Sequence, residues 1–168
     1  MTVIHSVEFS REGGELGGVI PLKSLPRLHD QLASVDGEVR WQLVGDVDKI
    51  ERPYLFLQVS ADLELVCQRC LKPMPFRVKA DTVLTQFQDE MKLDEAVAQD
   101  EDLEGILFEP ELDVEMLVED EVLLALPYAP RHAICDPTGD RAKFSGDAKP
   151  NPFAVLAQLK TGKAVDSN

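Results

Sequence analysis

Apolar and polar residues alternate along the first half of the chain. The alternation covers 38–44 and 54–67, and a third strand-like run covers 76–87. In a β-strand such a pattern places the apolar side chains on one face, where they can be buried, and the polar ones on the other. No helical segment separates these runs, and consecutive strands with short connections pair antiparallel. The pattern therefore predicts an antiparallel sheet built from these three stretches.

Three further segments are predicted to be short helices, because each follows a residue that can cap a helix. They cover 25–33, 113–126 and 152–160. Asp113 is the capping residue of the second helix, and Pro127 ends it, since proline cannot continue a helix. Helices packed on an antiparallel sheet correspond to the α+β fold class.

The segments between these elements are predicted to be irregular. The stretch 11–18, REGGELGG, is expected to be a loop because its four glycines disfavour regular structure. The acidic stretch 88–104 is expected to be a surface loop that is helical in part, and 105–109 one more short strand. The predicted organisation is one domain over 1–160, with an irregular excursion at 127–149, and a frayed tail at 161–168.

One acidic residue of the second predicted helix lies in an unexpected place. At 100° per residue Glu115 and Glu119 share a polar edge, whereas Glu121 lies among Leu117 and Leu124 on the apolar arc. A carboxylate buried without a partner costs several kcal/mol. Glu121 is therefore paired with a basic group, faces a partner molecule, or sits at the rim of the core with its carboxylate in water.

The net charge of −14 is concentrated in one region. Residues 89–121 hold fifteen Asp and Glu and a single basic residue, Lys92. Such a chain repels nucleic acid unless it has a local basic surface, and it attracts basic partners, of which unassembled ribosomal proteins are an abundant class. The alternative is a solvated acidic surface that only keeps the protein soluble.

The remaining composition argues for a cytoplasmic, non-catalytic protein. No stretch approaches the roughly 20 apolar residues that span a bilayer, and the N-terminus does not resemble a secretory signal. An odd number of cysteines, three, argues against a disulfide framework. GGELGG at 13–18 lacks the Lys-Ser/Thr of a phosphate-binding loop, and no catalytic triad or carboxylate pair is recognisable. We therefore expect no enzyme, no small-molecule substrate and no membrane.

Two pairs of potential metal ligands have the same spacing. Cys67 and Cys70 form a CxxC motif, and His132 and Cys135 form HxxC about 60 residues later. Together they would supply the Cys3His set of a tetrahedral zinc site. A redox dithiol is less compatible, because such dithiols usually precede a helix, and Cys67 and Cys70 lie between two strands. The third possibility is two ordinary cysteines in a hairpin.

The same hairpin is the basic part of an otherwise acidic chain. From 67 to 79 there are four basic residues and no acidic one: Arg69, Lys72, Arg77 and Lys79. Arg77 and Lys79 are two apart and so project from one face of the strand. These side chains could contact phosphate groups or an acidic protein surface, although exposed hairpins commonly carry such charges.

Three segments together resemble the YceD family of large ribosomal RNA subunit accumulation proteins. They are CQRCLKPMPFRV at 67–78, LVEDEVLLALPYAPRH at 117–132 and KPNPFAVLAQLK at 149–160. The resemblance implies a role in the synthesis, processing or stability of 23S ribosomal RNA. Some family members carry a second cysteine pair after the Leu-Pro, which implies metal binding, whereas this chain has only Cys135, preceded by His132.

Two mechanisms are compatible with that role, and a third function is of another class. In the first, the basic hairpin contacts 23S RNA directly. In the second, the acidic region 89–121 holds a basic ribosomal protein until assembly. The overall charge slightly favours the protein partner. The least favoured alternative is a thiol oxidoreductase that uses Cys67 and Cys70.

Overall fold

The computed structural model describes residues 2–135. It consists mainly of an antiparallel sheet with a few short helices, which confirms the α+β class. The strands are β1 Val3–Ile4, β2 Glu15–Pro21, β3 Leu32–Ser34, β4 Glu38–Val47, β5 Pro53–Val66, β6 Pro73–Phe87, β7 Glu104–Leu107 and β8 Leu112–Asp113. The α-helices are α1 Ser6–Arg11, α2 Glu90–Gln99 and α3 Val114–Ala125. In the main sheet the order is β2-β4-β5-β6-β7, with β3 also on β5, while β1 pairs with β8.

The three alternating runs form the centre of the sheet, as predicted. β5 and β6 make a long hairpin whose register runs from Tyr54 opposite Thr85 to Val66 opposite Pro73. Every second residue of β5 over 55–65 is buried, and Cys67 just beyond the strand is buried as well. β4 pairs antiparallel with β5 on its other side. The alternation identified the strands correctly because one face of each packs on a core.

The predictions for 11–18 and 25–33 were only partly right. The glycine-rich stretch 11–18 does not form a loop throughout, because β2 begins at Glu15 and pairs antiparallel with β4. The predicted helix 25–33 is replaced by two 3₁₀ turns, Leu22–Ser24 and Pro26–Gln31, and by β3. Tertiary contacts decide here, since Leu32 and Ser34 pair with Leu65 and Glu64 of β5 instead of continuing a helix.

The acidic stretch 88–104 is more regular than predicted. Asp89 caps α2 by accepting a hydrogen bond from the Lys92 N–H, and none of the helix residues is buried. The short strand expected at 105–109 is present as β7 at 104–107, but it runs parallel to β6 rather than antiparallel. The connection is long enough for a parallel crossover because it contains α2.

The second predicted helix is confirmed as α3. Its cap is Asp113, whose carboxylate accepts from the Glu115 N–H at 2.9 Å, and three valines of α3 join the core beneath the sheet: Val114, Val118 and Val122. The predicted helix 152–160, the tail 161–168 and most of the excursion 127–149 lie outside the described residues.

Candidate metal centre and surrounding surfaces

The connection between β5 and β6 is a tight knuckle formed by 67–72. The Cys67 N–H donates to the Lys72 carbonyl at 3.0 Å, and the Leu71 N–H donates to the Cys67 carbonyl at 2.8 Å. Leu71 adopts a left-handed conformation with φ of 59°, which lets the chain reverse within so few residues. This closure brings Cys67 and Cys70 to the same side of the turn.

The segment that follows α3 lies against this knuckle. The Gln68 N–H donates to the Pro130 carbonyl at 2.8 Å, and the Arg69 guanidinium donates to the His132 carbonyl at 3.1 Å. Both bonds join the knuckle to the main chain of the later segment. They place His132 and Cys135 beside the two knuckle cysteines.

The four predicted ligands converge. Their ligand atoms all lie within 4.8 Å of one another. The Cys67 and Cys135 sulfurs are 3.6 Å apart, and the Nδ1 atom of His132 is 3.4 Å from the Cys70 sulfur and 3.9 Å from the Cys135 sulfur. A tetrahedral zinc ion would require about 3.8 Å between two sulfurs and about 3.6 Å between sulfur and nitrogen. The donor set and its spacing fit zinc.

The second ring nitrogen of His132 supports the same arrangement. Nε2 lies 3.1 Å from the Pro73 carbonyl oxygen. A carbonyl oxygen can only accept, so Nε2 carries the hydrogen, and Nδ1 is left with a free lone pair facing the sulfurs. Metal-bound histidines usually have their other nitrogen fixed in this way.

The electrostatics favour a thiolate at Cys67 but not at Cys70. The Lys72 N–H favours the Cys70 thiolate, but burial and the sulfurs of Cys67 and Cys135 outweigh it and raise the pKa of that thiol. Burial raises the pKa of the Cys67 thiol, but the N–H groups of Cys70, His132 and Arg69 act on its sulfur and bring the pKa to about 5. Arg69 also hydrogen-bonds to the Cys135 sulfur, which raises the pKa of the guanidinium. Three thiolates with one Zn²⁺ carry a single net negative charge, which Arg69 is placed to offset.

The four basic hairpin residues are not equally available for binding. The Arg69 guanidinium is bonded to the His132 carbonyl in the segment after α3, and Arg77 is paired with Asp62 at 2.7 Å. Lys72 and Lys79 are exposed, and neither side-chain ammonium group has an ion pair or hydrogen-bond partner among residues 2–135. Of the four predicted contact residues, Lys72 and Lys79 are therefore the two whose charged groups are unpaired within the described residues.

The buried carboxylate of α3 is Glu119 and not Glu121. Glu119 is only 4% exposed, so its assignment to a polar edge was wrong. Its carboxylate accepts from the Arg27 N–H at 2.8 Å, and the Arg27 guanidinium pairs with Asp120. Glu121 is half-buried and accepts a hydrogen bond from the Thr82 hydroxyl. Sequence periodicity could not reveal Arg27 as the partner, because the two residues are 92 positions apart.

The chain has counterparts among known proteins. Residues 55–160 match the model of the family described as Large ribosomal RNA subunit accumulation protein YceD. The chain is 30% identical over 150 residues to the protein of that name from Haemophilus influenzae, covering 85% of this chain and 86% of that protein. No solved structure matches. Among the described residues, no helix has the length and apolar character needed to cross a membrane.

Proposed function

Because the chain belongs to the YceD family of large ribosomal RNA subunit accumulation proteins, we propose that it is a non-catalytic cytoplasmic factor that supports the synthesis, processing or stability of 23S ribosomal RNA. We propose further that Cys67, Cys70, His132 and Cys135 hold a structural zinc ion. The proposal of a zinc site rests on the convergence of these four side chains on one point.

The proposed zinc has a structural role because the protein supplies all four ligands. A catalytic zinc usually keeps one position open for water or substrate, whereas a Cys3His set closes the tetrahedron. Zinc here would cross-link the β5–β6 hairpin to the segment after α3. Without it, the two segments are joined near the site by the hydrogen bonds of Gln68, Arg69 and His132. The thiols therefore act as ligands, which disfavours the thiol oxidoreductase.

The cellular test uses a deletion strain. We expect loss of the gene to lower the ratio of mature 23S to 16S ribosomal RNA, and the wild-type gene to restore it. A Cys70→Ser/Cys135→Ser variant, produced at the same level, should restore it poorly. An unchanged ratio together with normal precursor levels in the deletion strain would contradict the proposed role, while full rescue by the cysteine variant would contradict only the importance of zinc.

A second candidate mechanism is supported by α2. This helix is acidic, and none of its residues is buried, so it is available to a basic ribosomal protein. A Glu90→Gln/Asp94→Asn/Glu95→Gln variant removes three charges from exposed positions and should leave the fold unchanged. If the helix holds a basic protein, this variant should lose that protein in affinity purification. Retention of the same partners would contradict the holding mechanism.

A further inference from the structure

The geometry points to a binding site for single-stranded RNA at the metal-organised end of the sheet. We define this tip by five exposed residues, which come from the knuckle and from the segment after α3: Leu71, Lys72, Tyr128, Arg131 and Ile134. In this assignment Tyr128 stacks on a base, and Lys72 and Arg131 contact phosphate groups. The inference rests on the proposed function in one respect, since the proposed zinc adds a cross-link to the hydrogen bonds that join the two segments.

The first support is the local charge. Residues 65–80 and 122–135 contain five Lys and Arg and no Asp or Glu, in a chain that has 31 acidic residues. The two segments are far apart in sequence, and the knuckle contacts bring them together, with Gln68 bonded to Pro130. The nearest acidic residues on the hairpin are Glu64 and Asp62, and Asp62 is neutralised by Arg77. Among residues 2–135, the tip is thus a local cationic surface.

The second support is the exposure of large apolar side chains beside these charges. Tyr128 is fully exposed at 106%, Ile134 is 88% exposed and Leu71 is 73% exposed. Tyr128 is three residues from Arg131 in the chain. Proteins that bind single-stranded nucleic acids combine exposed aromatic rings with basic side chains, because every base can stack and every nucleotide carries a phosphate. A surface that binds only the phosphates of a duplex does not need an exposed aromatic ring, because the bases of a duplex are already stacked on one another.

The third support is the separation of the tip from the acidic region. The knuckle precedes the first residue of β6, and α2 follows its last residue. β6 has 15 residues, which at about 3.3 Å each places the two regions about 45–50 Å apart along the strand. The Debye length at physiological salt is about 8 Å. The charges of α2 are therefore screened at the tip, and the overall charge of −14 does not prevent RNA from binding there.

On α3, which is followed by the segment that contributes to the tip, the acidic residues are largely occupied. Glu119 and Asp120 both contact Arg27, and Glu121 accepts from Thr82. The end of α3 nearest the tip carries no carboxylate, since none occurs among the residues from Val122 to Cys135. An acidic protein would also be attracted to the positive charge of the tip. It has no unpaired bases to stack on the Tyr128 ring, so it would gain less binding free energy there than single-stranded RNA.

The experiment measures binding of full-length, zinc-loaded protein to a fluorescent single-stranded RNA of about 12 nucleotides, within the length range that such sites cover. Tyr128→Ala should weaken binding roughly 5- to 100-fold, the effect expected when one stacking platform is removed, and Tyr128→Phe should retain it. Lys72→Ser/Arg131→Ser should lower the slope of log affinity against log salt by about 0.7 for each phosphate that the variant no longer neutralises.

Lys49→Ser is the matched control, because Lys49 is exposed in the turn between β4 and β5, at the other end of the hairpin. Unchanged zinc content and thermal unfolding show that each variant is folded. No RNA binding by folded wild-type protein, equal binding by the Tyr128→Ala variant, or tighter binding of polyglutamate than of RNA would each overturn the inference. If zinc-loaded protein restores 23S RNA in cells but does not bind the RNA in this test, only the RNA-binding inference is contradicted. If wild-type protein purifies without zinc, the proposed metal centre is contradicted.

Discussion

The Nε2 atom of His132 lies 3.1 Å from the carbonyl oxygen of Pro73, the first residue of β6. One imidazole ring thus connects the beginning of a central strand to the cluster of three cysteine sulfurs. The ring is held from both sides, so its orientation is set before a metal arrives. The relationship makes His132 a ligand and a link between the hairpin and the segment that follows α3.

The first prediction concerns this histidine. His132→Ala should weaken zinc binding at least about 10- to 100-fold, because it removes one of four ligands together with its bond to Pro73. His132→Cys restores a fourth ligand and should retain stoichiometric zinc. Competition with a chromogenic chelator measures both affinities. Wild-type affinity in the His132→Ala variant would show that the histidine is not a ligand.

The second prediction is that metal removal destabilises the protein. A structural zinc contributes its binding free energy to folding, so treatment with a strong chelator should lower the melting temperature. Returning zinc should restore it, and magnesium should not, because thiolates are poor magnesium ligands. Cys70→Ser should lower the melting temperature of untreated protein and remove most of its response to chelator. If the melting temperature of the Cys70→Ser variant still falls with chelator as much as that of the wild-type protein, the proposed zinc site is contradicted.

The third prediction separates two carboxylates that contact the same arginine. Glu119→Ala should cost about 1–3 kcal/mol of unfolding free energy, because it leaves the Arg27 N–H without its partner beneath the surface. Asp120→Ala removes a half-exposed ion pair with Arg27 and should cost at most about 1 kcal/mol. Urea unfolding measures both. Equal effects would show that burial of Glu119 does not matter.

The fourth prediction tests the packing of α1 on β4. A Cβ atom at Gly45 would lie 2.7 Å from the Ser10 Cα and 2.8 Å from the Phe9 carbonyl oxygen, both backbone atoms of α1. Gly45→Ala should therefore displace α1 and cost about 1–3 kcal/mol. At Gly18 the nearest atoms belong to the Trp41 side chain at 3.4 Å, so Gly18→Ala should not destabilise the protein and should stabilise it by about 0.4–1 kcal/mol through the lower entropy of the unfolded chain. A small effect at Gly45 would show that the packing there is loose.

Local pattern was sufficient for the parts of the fold in which one face of an element is buried. The alternation along β4, β5 and β6 is a direct consequence of a one-sided core, and the cap at Asp113 and the stop at Pro127 depend only on neighbouring residues. The sequence also identified the ligand types, since CxxC and HxxC each place two donors on one turn. These features rest on interactions within a few residues.

The tertiary structure decided everything that depends on register between distant segments. Short edge elements such as β2 and β3 carry little pattern of their own and exist because β4 and β5 provide hydrogen-bonding partners. Which carboxylate of α3 is buried depends on where Arg27 lies, and whether Arg77 is free depends on its place opposite Asp62 in the β5–β6 register. The meeting of Cys67 and Cys135, 68 positions apart, likewise follows from the three-dimensional path of the chain, because residue spacing does not determine distance between segments that the fold brings together.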